Sequence, residues 1–262
     1  MNNFNFDKLN PRFARFAPPL FLSAQDLYTS DTTKNHPFGQ IAYGNHGKIF
    51  RYMKAGASDL VAGNLLAESA EDTQFENMAV TASPIVSVQN GPQTVNVTNG
   101  TTTVVPADFV NGSLSVYTAG GEAIGGDYDI LGITGTLTSG GALVVTVDRP
   151  INVAWTTSLK VVMKKSPWSG VIQFPATTQT GIAVGVALWA NPTATYGWVQ
   201  THGPCTVLSD GSTFAVGSNL GTPSGTAGAV TVFAAGTTHQ LVGVSREAAA
   251  SGHGISAFLT ID

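Results

Sequence analysis

Between residues 80 and 165 apolar and polar positions alternate in short runs. In ALVVTVDR, Leu143, Val145 and Val147 fall on one side and Val144, Thr146 and Asp148 on the other, the period of two that sends successive side chains to opposite faces of a strand. PIVSVQ, QTVNVT, TTVVPADF, GSLSVYT, YDILGI, TGTLTS, NVAWTT and LKVVMKK read the same way. Turn signals separate them roughly every eight to twelve residues: Asn90-Gly91, Asn99-Gly100, Asn111-Gly112, Gly120-Gly121, Gly125-Gly126 and Gly140-Gly141. Short strands punctuated in this manner predict an all-β chain, a β-sandwich or small β-barrel.

The stretch GKIFRYMKAGASDLVAGNLL (47–66) raises the question of a phosphate loop. Such a loop needs Gly-Lys-Ser/Thr opening a helix. Here an apolar and aromatic run follows Gly47-Lys48 instead, and the glycines at 47, 56 and 63 are too far apart for a dinucleotide fingerprint. The run predicts a strand with Phe50, Tyr52 and Lys54 on one face and Ile49, Arg51 and Met53 on the other, then a turn over 55–59. Residues 67–79 are acidic and predict a short helix or a loop.

Residues 166–262 remain β in character. VGVALWANPTATYGWVQ (184–200) and VGVSREAAASGHGISAF (242–258) echo each other and predict two paired hairpins of one small barrel. Residues 1–40 differ from everything after them: six phenylalanines and four prolines break both the helical and the strand period. They predict an extended N-terminal arm whose aromatics must be buried against the body or a neighbour. The expected organisation is an arm (1–40), strands and an acidic linker (41–79), a Thr/Gly-rich β-domain (80–165) and a small β-barrel (166–262).

Composition sharpens this picture. Of 262 residues only 11% are charged, against about 25% in an ordinary domain, so much of the surface is expected to face other protein. Residues 1–54 carry seven Lys/Arg and three Asp; the remainder carries five basic and thirteen acidic residues. An acidic body is a poor nucleic-acid ligand. No apolar run is long enough for a membrane span, and the N-terminus has no cleavable signal. We therefore expect synthesis in a cytoplasm, with neither nucleic acid nor membrane as partner.

Candidate chemistry is sparse. His202 and Cys205 lie three apart in an extended segment, which puts them on opposite faces and favours a buried thiol over a nucleophile pair. The histidines 36, 46, 202, 239 and 253 have no zinc-ligand spacing. Asp127 and Asp129 read as acids on an exposed turn. No enzyme, cofactor or metal is expected. Trp189, Tyr196 and Trp198 are candidate interface aromatics, or the lining of a carbohydrate-binding face.

Two stretches resemble a known family. IAYGNHGKIFRYMKAGASDLVAGNLL (41–66) is similar to a segment of tailed-bacteriophage proteins encoded beside the major capsid protein. The end of the chain, from about 181 to 262, resembles the small β-barrel of phage capsid decoration (cement) proteins: Val242-Gly243-Val244, then Ala248 and Gly252, then Phe258 and Leu259. Ser245 and Arg246 depart from the small residues usual there, and 80–165 has no counterpart. The resemblance implies a non-catalytic virion protein on the outer capsid surface. It implies the major capsid protein and further copies of the chain, as a dimer or trimer, for partners. The arm residues Phe4, Phe6, Arg12, Phe13, Arg15, Phe16 and Phe21 would then pack into neighbouring subunits or the shell. The alternative is a carbohydrate- or receptor-binding head fibre or spike.

Overall fold

The computed structural model describes residues 25–81, 85–87, 91–234, 239–248 and 254–262. The arm residues Phe4 to Phe21 lie outside the described residues. The strands in chain order are β1 (Ile41–Tyr43), β2 (Ile49–Ala55), β3 (Leu65–Ala67), β4 (Met78–Ala79), β5 (Ile85–Ser87), β6 (Gln93–Thr98), β7 (Ser113–Thr118), β8 (Ala123–Gly135) and β9 (Ala142–Val147). They continue with β10 (Ile151–Trp155), β11 (Leu159–Lys164), β12 (Ser169–Gln173), β13 (Ala183–Ala187), β14 (Tyr196–Leu208), β15 (Asn219–Gly221), β16 (Thr231–Val232), β17 (Leu241–Ser245) and β18 (Gly254–Thr260). The all-β fold expected from the alternation is what the chain adopts.

β2, β12, β3, β13 and β14 pair in that order, and β14 returns to β2, which closes a five-stranded barrel. Met53, Ala55, Leu66, Val171, Val184 and Val199 supply its interior, with every strand contributing. This explains the burial along β2. Met53 and Ala55 point inward, while Phe50 and Tyr52 are buried on the outer face. A strand buried on both faces needs a cover outside, and residues 25–40 provide it.

β14 is long enough to serve twice. Its first half belongs to the barrel, and its second half, from His202 to Leu208, pairs with β18. β17, β15 and β16 continue the sheet. Ser209 bridges Val230, just before β16, so the far edge curls back towards the end of β14. Cys205, Val207, Phe214, Leu220, Val242, Ile255 and Leu259 fill this half-barrel. The two echoed sequences form the hairpins β13–β14 and β17–β18, but the first belongs to the closed barrel and the second to the half-barrel, not to one barrel as expected. In the second, a Cβ on Gly243 would stand 2.2 Å from the Phe258 carbonyl oxygen, so only glycine allows the strands to approach.

β5 and β10 pair as a two-stranded sheet, and the other six strands between residues 78 and 164 make a separate sheet, β4-β11-β7-β8-β9-β6, whose edges meet at a Val80–Val97 bridge. Its core runs from Phe75 to Met163. Leu143, Val145 and Val147 are fully buried within it, as their alternation predicts. TTVVPADF is a correction: Pro106–Phe109 is one α-helical turn, α1. Proline is compatible with the first helical position, where its missing N–H has no intrahelical partner to lose, and the turn swings Phe109 into the core against Phe75. The acidic stretch before the sheet holds a 3₁₀ turn, Thr73–Phe75, capped by the Asp72 carboxylate accepting from the Gln74 amide.

Candidate functional site: the N-terminal strap and its aromatic seam

The described part of the expected arm, residues 25–40, is a strap across the outer face of β2 and β14. Backbone bonds fix it at Asp31 and at Gly39–Gln40. Asp31 and Tyr196 exchange N–H···O bonds of 2.9 and 2.7 Å, the Gly39 amide donates to the Tyr52 carbonyl and the Tyr52 amide to Gln40. Beside them lies a polar knot. The Tyr52 hydroxyl donates to Gln25 Oε1 (2.9 Å) and accepts from the Asn35 amide (3.0 Å). Gln25 Nε2 donates to the carbonyls of Tyr196 and Thr29, and Asn35 Nδ2 donates to Asp31 Oδ2 and Gln25 Oε1. These groups are mutually satisfied, as a buried polar cluster requires.

Rings surround the knot. Tyr196 stacks on Tyr52 and on Phe38, each at 6.2 Å. Trp198 meets Tyr52 edge-on at 5.1 Å, and His36 lies over both, at 5.0 Å from Tyr52 and 5.3 Å from Trp198. Burial holds the Tyr52 hydroxyl above its ordinary pKa and His36 below.

The three aromatics singled out from the sequence therefore have different places. Trp198, only 3% exposed, belongs to the covered face and presents nothing to an outside partner. Tyr196 is half-buried beneath the strap. Trp189 is 55% exposed. It lies near the exposed Val61, because Leu60 and Asn191 form a bridge that runs the two loops antiparallel.

A second tie stands at the barrel mouth. Arg51 Nη1 donates to the Gly39 carbonyl, while its Nε and Nη2 reach Asp262, which also accepts from Thr201 Oγ1 at 2.9 Å. The guanidinium lies 5.0 Å from the Trp168 ring. That ring in turn presses on Gly39, where a Cβ would stand 2.6 Å from it.

The other candidates are structural in their surroundings. Cys205 is buried in the half-barrel, and desolvation pushes its thiol up to about 12. His202 instead packs edge-on against Phe258. Asp127 accepts from Ser115 Oγ, and the Asp129 amide donates to Asp148. Among the described residues no group of three or more His, Cys, Asp or Glu gathers at one point.

A cleft of about 510 Å³ opens where the two sheets meet, with Glu68, Glu71, Asp72, Glu76, Lys164 and Lys165 in its wall. Lys164 pairs with Glu71 and Glu76, and Glu68 accepts from the Ile182 amide. Asp108 of α1 pairs with Lys165 and, across to β2, with Lys54. No known family pattern, characterised protein or solved structure matches the chain.

Sequence reasoning missed Gln25 and Asn35, the polar half of the seam. Their signal was indirect: the apolar run of β2, with aromatics at Phe50 and Tyr52, needs a cover outside the barrel.

Proposed function

We propose that the chain is a structural protein of a phage head, attached to the outer capsid surface as a cement or decoration protein that stabilises contacts between capsomers. The observation that carries this reading is the docking of residues 25–40. The Gln25–Asn35–Tyr52 knot ties the strap, which follows the Phe- and Arg-bearing residues 1–24 in sequence, to β2 and β14 of a β-rich body. Two further facts support it. The stretches that resemble decoration proteins, 41–66 and 181–262, fall in one continuous ten-stranded sheet although far apart in sequence. Cys205, the strongest nucleophile type in the chain, is buried as a thiol. Attachment would come from many weak contacts acting together on a repeated lattice.

The experiment is mass spectrometry of density-purified particles, with copy number taken relative to the major shell protein. Copies in the hundreds per particle are expected on this reading. A few per particle would favour a fibre or spike, and absence would refute the capsid role. Deleting residues 1–22 is expected to leave a folded body that no longer decorates shells; full decoration by the truncated chain refutes the role of the arm. The glycan-binding alternative rests on Trp189, whose ring is exposed. Loss of host-glycan binding on Trp189→Ala would favour it.

A further inference from the structure

His36 packs between the strap and the barrel as the histidine among the described rings of the seam. Its plane stands at 82° to Tyr52 of β2 and is tilted 53° to Trp198 of β14. His36 Nε2 and Trp198 Nε1 are both buried without a hydrogen-bond partner. Neutral imidazole tolerates such a site, because an unprotonated Nε2 needs no acceptor. Imidazolium fits it less well: it carries a second N–H donor with no acceptor at Nε2 and a charge that the ring faces offset only in part.

The ionisable groups around it offer no relief. On the strap itself, Asp31 is committed to the Thr33 amide and to Asn35, which hold its carboxyl below the usual range. Lys34 is a cation, placed 3.8 Å over the Phe38 ring. β2 contributes Tyr52, whose hydroxyl is already bonded, and Lys54, a second cation. β14 contributes Tyr196. Only the Gln40 side chain favours the charged ring, and burial outweighs it. Of these side-chain types only histidine ordinarily titrates between pH 5 and 7.

We infer that residues 25–40 form an acid-released strap: protonation of His36 undocks the segment from the outer face of β2 and β14. The docked state favours neutral His36 and the released state does not. Docking is therefore complete above the ordinary histidine pKa of about 6.5 and weakens as pH falls below it, by at most about tenfold per pH unit. The inference does not depend on the capsid role.

The test is amide hydrogen exchange on the full chain at pH 7 and pH 5, corrected for the intrinsic rate. Protection of Asp31, Asn35 and Gly39, whose amides bond across the seam, is expected to be lower at pH 5 than at pH 7. Val97 and Val145 in the six-stranded sheet should hold theirs. His36→Phe keeps a ring and removes the proton, so its strap should be insensitive to pH. Unchanged protection in the native chain, or an equal loss in His36→Phe, overturns the inference. If His36→Phe does not fold, the NMR titration of His36 in the native chain decides: a midpoint at or above 6.5 overturns it.

Discussion

Arg51 and Asp262 are joined by two parallel hydrogen bonds, Nε to Oδ2 at 2.8 Å and Nη2 to Oδ1 at 2.7 Å. The pair links β2 to the segment following β18 and, through Gly39, to the strap. Burial alone would raise the Asp262 carboxyl, but the bonds from Arg51 and Thr201 and the Arg51 charge overcome it, so the net shift is downward. A depressed folded pKa means stability that is present above the unfolded value of 3.8 and is lost as pH falls through the lower folded value. Asp262→Asn is expected to cost about 1–2 kcal/mol at pH 7. Urea denaturation at pH 7 and near pH 2 should show the difference between native and variant shrinking at the acid end. A constant difference would mean that the charge contributes nothing.

Tyr52→Phe removes one oxygen and leaves the Asn35 amide unpaired and Gln25 Oε1 short of a donor. A loss of about 1–2 kcal/mol is expected, concentrated in the strap. Exchange at Asn35 should accelerate while the far-UV circular dichroism of the barrel stays unchanged. Equal acceleration in β13 and β18 would show that the hydroxyl supports the whole sheet instead.

With its thiol pushed up to about 12, Cys205 at pH 8 is thiolate in roughly one molecule in ten thousand. An aromatic disulfide reagent should react with the native chain only at the rate of unfolding, and fully in denaturant. Rapid reaction under native conditions would contradict the burial.

Gly243→Ala drives a methyl group into the Phe258 carbonyl and is expected to cost on the order of 2–4 kcal/mol. Gly132→Ala in β8, where nothing lies within 4 Å of the added carbon, serves as the control and should change stability by about 0.5 kcal/mol or less. Thermal melts of the two variants make the comparison.

The strands were legible wherever one face is buried and the other wet. Gln93–Thr98 and Ala142–Val147 fall where their alternation puts them, because only one face of each packs into the core. β2 was legible as a strand but not in its role, since local pattern carries no sign of a strap crossing from another part of the chain. Pro106–Phe109 misled because Thr and Val dominate the residues before it, while proline at a helix start decides the backbone. Nor does pattern reveal that β3 pairs with both β12 and β13; such partners are chosen by long-range closure. At the seam the rings stood out in the sequence, but their exposure did not: Trp189 and Trp198 look alike as letters, and only the strap separates them.

The six-stranded sheet enters and leaves the barrel through neighbours. Ala67 of β3 lies opposite Ile172 of β12, and within the sheet Met78 of β4 lies opposite Val161 of β11. A chain that had to close β3 on β12 across the whole intervening segment would lose the configurational freedom of a very long loop. Once the six strands have condensed, their two ends already sit side by side, and the ring left to close is only the short run on either side. At about 0.6 kcal/mol for each halving of loop length, this ordering favours barrel closure by on the order of 1 kcal/mol. Folding in that order would make the inserted sheet a clasp that brings together two stretches of one barrel lying far apart in sequence.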